Sequence, residues 1–197
     1  MTVLFVGCSL QTTVPPVAKY LLNVKVDTKP SKVSCYRDKV VRVAQIDSPM
    51  ILAGRTIIYS TDKGQSYSYT KSRWMESVTN QLSVLIMQTI THKAIFKDVI
   101  PFRSLADNDL ILETGLYDFS QVIHDDGSSS VHLLLKVRLV EQYSRKIVTN
   151  KLFELKKDGL TGDVDGAIEG YNILVRELLK GIDQWLEESC SQANDAS

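Results

Sequence analysis

The chain has 197 residues, 44% of them hydrophobic, which is enough for one domain with a real core. Lys+Arg and Asp+Glu both number 23, so the formal net charge is +0, which argues against nucleic-acid binding driven by bulk electrostatics. No run of about 18 apolar residues occurs, so no helix is expected to span a bilayer.

The first feature is Leu4-Phe5-Val6-Gly7-Cys8-Ser9. It admits two readings. Val3 to Val6 can begin a buried strand with Cys8 as a small core residue. Alternatively, Gly7-Cys8 is the cleavage site of a bacterial lipoprotein, and Cys8 carries the lipid. The apolar part is short for a signal and no basic residue precedes it, so the match to a signal is partial. The stretch that follows, SLQTTVPPVAK, is polar, holds Pro15-Pro16 and lacks strand or helix periodicity. It reads as a semi-extended tether, which a lipid-bearing cysteine needs and a core strand does not.

Lys19 to Val26 is rich in β-formers and reads as a first strand, followed by Lys39–Ala44 and Gly54–Ser60. Asp62-Lys63-Gly64-Gln65 is a turn, and Ser66 to Tyr69 returns from it as a hairpin strand. The period then changes. Trp74, Val78, Leu82, Leu85, Ile86 and Ile90 share one face of a helix expected from about Arg73 to Thr91, with Ser72 as N-cap. Its polar face carries almost no Lys or Arg, as suits a helix laid on a core.

Phe96–Phe102 is a short apolar run and Leu110–Val122 a longer extended one. His124 to Ser128 is a turn. Leu133, Leu135, Val137 and Leu139 then alternate with more polar neighbours, and Ile147–Leu155 alternates again, which predicts an antiparallel meander of three strands. Asp158 to Asp163 reads as a loop. A long helical stripe follows through Val164, Ala167, Tyr171, Leu174, Leu178, Ile182, Trp185 and Leu186, capped by Asp163 or Asp165. The rings of Trp74 and Trp185 are expected to anchor their helices to the sheet. Residues 188–197 are polar and read as a fraying end. The expected fold class is α/β, a single domain in which a mixed β-sheet carries two long amphipathic helices.

No HExxH, GxSxG, P-loop or dinucleotide fingerprint is present, and no cofactor or metal is indicated. Asp125-Asp126 sits at a Gly-Ser turn and reads as a solvated hairpin tip. The three cysteines show no zinc-ligand spacing. With Cys8 lipidated, Cys35 and Cys190 could pair in an oxidising compartment; two free thiols is the plainer reading.

The stretch "ILAGRTIIYSTDKGQSYSYTKSRWMESVTNQLSVLIMQTI" joins an Arg-bearing strand ending in Ile-Tyr, a Tyr-rich return and Arg73-Trp74. Later come "LETGLYDFSQVI", with Asp118-Phe119, then "VHLLLKVRLVE", "KLFELKKD" and a helix ending in Gln184-Trp185-Leu186. Together with Gly7-Cys8-Ser9 this resembles the auxiliary lipoproteins of ABC-type lipid transporters that work with MCE-domain proteins, the paraquat-inducible system's lipoprotein among them. The resemblance covers the chain from Cys8 to Leu186.

It implies a truncated signal, lipidation site and tether over 1–17, an auxiliary lipoprotein domain over 18–189 and a polar tail over 190–197. It further implies a non-catalytic periplasmic protein, lipid-anchored through Cys8. Ser9, where an aspartate would favour inner-membrane retention, points to the outer membrane. The implied partners are an MCE-domain protein and an ABC permease and ATPase complex, with self-association left open. Arg73, Trp74, Asp118 and Phe119 are the candidate partner-facing or structural residues. The alternative is an envelope assembly or binding lipoprotein unrelated to ABC transport, and a cytosolic enzyme survives only if Cys8 is a core residue.

Overall fold

The computed structural model describes residues 16–33 and 35–195, so Cys8 and its surroundings lie outside the described residues. In chain order the elements are β1 (Ala18–Tyr20), β2 (Tyr36–Val43), α1 (Met50–Ala53), β3 (Thr56–Thr61), β4 (Ser66–Trp74) and α2 (Val78–Lys93). Then follow β5 (Phe96–Pro101), β6 (Leu110–Ile123), β7 (Ser128–Glu141), β8 (Ile147–Thr161) and α3 (Val164–Asp195).

The meander β6–β7–β8 is the trunk of one eight-stranded mixed sheet. Residues of alternate position in β6 and β7 are buried, as a strand with one face on a core requires. β7 pairs antiparallel with the whole of β6, from Leu110↔Glu141 to Ile123↔Ser129, with one bulge between Leu116 and Asp118. The other edge of β6 is divided. Its first residues pair in parallel with β2 and its last with β3. Between them Asp47 bridges Gly115. The sheet then continues from β2 to β5 and from β3 through β4 to β1.

One cluster of buried side chains forms the core. Leu112, Leu116, Leu133, Leu135, Leu139, Leu82, Ile86, Ile90, Leu174 and Ile182 are all shut off from solvent. Each such side chain stabilises the fold by about 1.5–3 kcal/mol relative to exposure. α3 lies across β7 and β8 and α2 beside β5, and the two helices touch.

Five expectations are corrected. The first strand forms a ladder only over Ala18–Tyr20; beyond it the chain stays extended but bonds to helix side chains. Leu22 N donates to Gln81 Oε1 at 2.7 Å and Asn23 N to Asn172 Oδ1 at 2.7 Å. Leu22, Val24 and Val26 pack on the core, so the alternation is real while the backbone partners are not a sheet. The segment is a strap over α2 and α3. Arg73-Trp74 ends β4 instead of opening the helix, because Trp74 N donates to Arg55 O and Met75 N to Tyr20 O. Ser77, not Ser72, caps α2, its side chain accepting from Asn80 N. The strand β8 continues to Thr161, through residues expected to form a loop, by pairing with Ser128 and Ser129. Finally, α3 runs to Asp195 and does not end near Leu186. Ser189 and Cys190 extend its buried stripe one further turn.

Asp163 caps α3 by accepting from Gly166 N at 2.8 Å and from the Thr161 hydroxyl at 2.8 Å. These bonds hold its carboxyl below the usual range, with the Gly166 amide the larger cause.

Candidate functional site

An open trough with mainly apolar walls lies beside α2. α2 buries Val78, Leu82, Ile86 and Ile90 on the sheet. Val84 and Met87 fall off that stripe and face a space walled by Leu21 and Leu22 of the strap, Val43–Gln45 at the end of β2, and Pro101-Phe102 at the end of β5. The groove encloses about 520 Å³. Leu21, Val84 and Phe102 keep 46%, 48% and 43% of their surface exposed, so the apolar walls are open to solvent.

Its walls are braced. Gln81 accepts from Leu22 N with its Oε1 and donates Nε2 to Glu76 O at 2.8 Å, so both ends of this amide are engaged. On the far side Arg42 holds the loop after β5. Its Nε donates to Asn108 Oδ1 at 2.8 Å, and its terminal nitrogens donate to the carbonyls of Ser104 at 2.6 Å and Ala106 at 2.7 Å. A weaker bond reaches the carbonyl of Phe102. The Arg103 guanidinium lies 5.0 Å from the centre of the Phe102 ring and makes no ion pair among the described residues. Glu76, which also lines the groove, is paired with Arg55 at 3.3 Å.

The residues singled out in the sequence lie elsewhere. Trp74 and Phe119 come together in the core around Tyr171, whose ring stacks on Phe119 with centroids 4.1 Å apart. All three are buried. Arg73 is exposed at the end of β4, and Asp118 is half-buried at the bulge of β6. Trp185 is buried and donates to Thr149 Oγ1 at 3.1 Å, tying α3 to β8. Asp126 accepts from the amide and hydroxyl of Ser128, closing the hairpin tip. Val84 and Phe102 carried no sequence signal as a pair, because α2 and the end of β5 meet only in the folded chain.

Cys35 and Cys190 form a disulfide with their Cα atoms 5.2 Å apart, linking the end of the strap to the last turns of α3. Nearby, Lys93 is buried and bonds Asp183 at 2.7 Å and Asp27 at 3.1 Å. Burial opposes its charge, but the two carboxylates outweigh burial and hold its pKa above the ordinary value. Asp183 is pushed up by burial, since it shares this single lysine with Asp27 and also feels Glu187.

Residues 20–183 match the sequence family described as ABC-type transport auxiliary lipoprotein component. The chain belongs to that family. Its members are auxiliary lipoproteins of ABC transport, which places this one among transport-associated lipoproteins of the cell envelope. Solved structures of the same fold agree. Protein XCC0632 from Xanthomonas campestris, a DUF330 protein, superposes with a TM-score of 0.77 at 14% identity, covering 91% of this chain and 99% of its own. An uncharacterised protein superposes at 0.59, with 17% identity over 93% of this chain and all (100%) of its own. A neuraminyllactose-binding hemagglutinin homologue from Helicobacter pylori reaches 0.51 at 10% identity, over 89% of this chain and 97% of its own. At these identities the likeness is one of fold. No curated protein matches the chain in sequence.

Proposed function

We propose that this auxiliary lipoprotein is a non-catalytic subunit of an MCE-type ABC lipid-transport system. It is anchored through Cys8, stands in the periplasm on the outer membrane, and links an MCE-domain protein to that membrane. The family match over residues 20–183 carries the reading. Two further features support it. The Cys35–Cys190 disulfide suits an oxidising compartment such as the periplasm. The polar, proline-bearing stretch after Cys8 suits a tether between anchor and domain. A bacterial lipid anchor carries several acyl chains, which gives stable membrane attachment where a single chain gives only marginal binding.

The test is expression in a Gram-negative host with a complete lipoprotein signal. The mass should correspond to cleavage before Cys8 plus acylation, and Cys8→Ala should lose both the adduct and the membrane fractionation. Cross-linking in the envelope should capture an MCE-domain protein. Lipidation with capture of an outer-membrane assembly complex instead would move the protein to the alternative envelope role. An unmodified soluble product would overturn the anchor.

A further inference from the structure

We propose that the groove beside α2 is a lipid site that takes one acyl chain of an anionic amphiphile, with Arg103 at its mouth receiving the phosphate.

The argument starts from what the walls offer. Leu21, Val84, Met87 and Phe102 present apolar surface, and the volume of about 520 Å³ falls within the range of about 300–1,000 Å³ usual for small-molecule sites. The groove encloses no more than about one turn of a helix, so a helix would lie mostly outside it. One turn, about 5.4 Å of a cylinder about 10 Å across, would already fill most of it. An extended peptide is also poorly served, since it brings a donor and an acceptor per residue. Gln81 is already bonded at both ends to the protein's own backbone, so Gln45, Asn80 and Ser83 are the neutral polar side chains of the lining left to answer them. A hydrocarbon tail brings no such groups and loses nothing by entering.

Charge gives the headgroup a place. Glu76, the carboxylate of the lining, is paired with Arg55. Arg103, next to the lining residue Phe102, lies over its aromatic ring with no acidic partner among the described residues. The Phe102 loop is held by the Arg42 bonds, so the cation and the apolar wall are presented together before any ligand arrives. An aliphatic chain along α2 therefore sets its phosphate beside Arg103, where a guanidinium can pair with two phosphate oxygens at once.

This proposal rests on the reading that the subunit serves lipid transport, yet it is tested without any partner. The full chain carrying Cys8→Ala, which removes competition from its own anchor, is titrated with palmitoyl lysophosphatidylglycerol and palmitoyl lysophosphatidylcholine below their micelle concentrations. Native mass spectrometry reads the stoichiometry and calorimetry the affinity. One-to-one saturable binding is expected, tighter for the glycerol headgroup. Val84→Glu, at a half-exposed helix position that tolerates Glu, should weaken both lipids by about tenfold or more while thermal unfolding is unchanged. Arg103→Ala should weaken both lipids, since both carry the phosphate, and should weaken the glycerol lipid more, because the choline ammonium already offsets the charge of its own phosphate, so the headgroup preference shrinks. Met75→Glu, an exposed control outside the groove, should change nothing. No saturable binding, or equal binding by Val84→Glu, overturns the proposal. So does an MCE-derived peptide that binds the groove while neither lipid does. Failure here with lipidation and MCE capture intact removes the lipid site alone. Lipid binding without MCE capture removes the transport reading alone.

Discussion

Gln121 has no solvent contact, yet it carries an amide at the point where four segments meet. Its Oε1 accepts from the Tyr69 hydroxyl at 2.7 Å, and its Nε2 donates to Ser129 Oγ at 2.8 Å and Asp163 O at 3.0 Å. Tyr69→Phe removes the donor and leaves a buried carbonyl unpaired. It should lower stability at neutral pH by about 1–2 kcal/mol in urea titration. Burial, aided by the nearby Tyr59 and Asp163, pushes the Tyr69 phenol up to about 12. A raised pKa means that the folded state holds its proton more tightly than the unfolded chain. This contribution is complete below pH 10 and is lost as pH rises from about 10 to about 12. Lys93 and the buried Tyr171 are also shifted upward and act in the same direction. Unfolding curves between pH 9 and 12 should therefore show falling stability in the native protein, and a shallower fall in Tyr69→Phe. An equal slope in the two would deny Tyr69 that share.

Among the elements, α3 depends on close approach to the sheet. Gly170 faces Leu160 and Val131, and a methyl group there would come within 2.4 and 2.5 Å of their side chains. Further along, Gly181 meets the Phe153 ring in the same way, at 2.7 Å. On an exposed helix Gly→Ala would gain up to about 1 kcal/mol from propensity. Here overpacking costs about 1–3 kcal/mol, so Gly170→Ala should be net destabilising or at best neutral. Urea midpoints measure this directly; a clear gain in stability would show that α3 can lift from β7 and β8 without cost.

Across the whole molecule the Cys35–Cys190 disulfide spans a sequence separation of 155 residues. Closing so long a loop in the unfolded chain is worth about 5 kcal/mol in the chain-entropy account, and removal of native disulfides typically costs about 2–5 kcal/mol. Reduction, or Cys190→Ser, should lower the urea midpoint by a corresponding amount. Alkylation before reduction should leave Cys35 and Cys190 unlabelled in protein recovered from the periplasm. Labelling of both would mean that the oxidised state does not form there. Together with the strap bonds to Gln81 and Asn172, the disulfide pins the strap over both helices. The strap also forms one wall of the groove.

Periodicity made the trunk of this fold readable. Leu133, Leu135, Val137 and Leu139 alternate because β7 has one face on the core, and the stripe from Ala167 to Leu186 repeats at helical spacing because α3 lies on that face. Both patterns are local consequences of burial, so they survive in the bare chain. The same logic misplaced Lys19–Val26 as a full strand, since an extended strap over helices alternates as a strand does. It also set Arg73-Trp74 on a helix, where the backbone bonds to Tyr20 and Arg55 instead hold the chain in or beside the sheet. The divided edge of β6, the pairing of Cys35 with Cys190, and the meeting of Leu21, Val84 and Phe102 each join segments tens of residues apart. Their cause is which surfaces come together when the chain closes, and no short window of residues contains it.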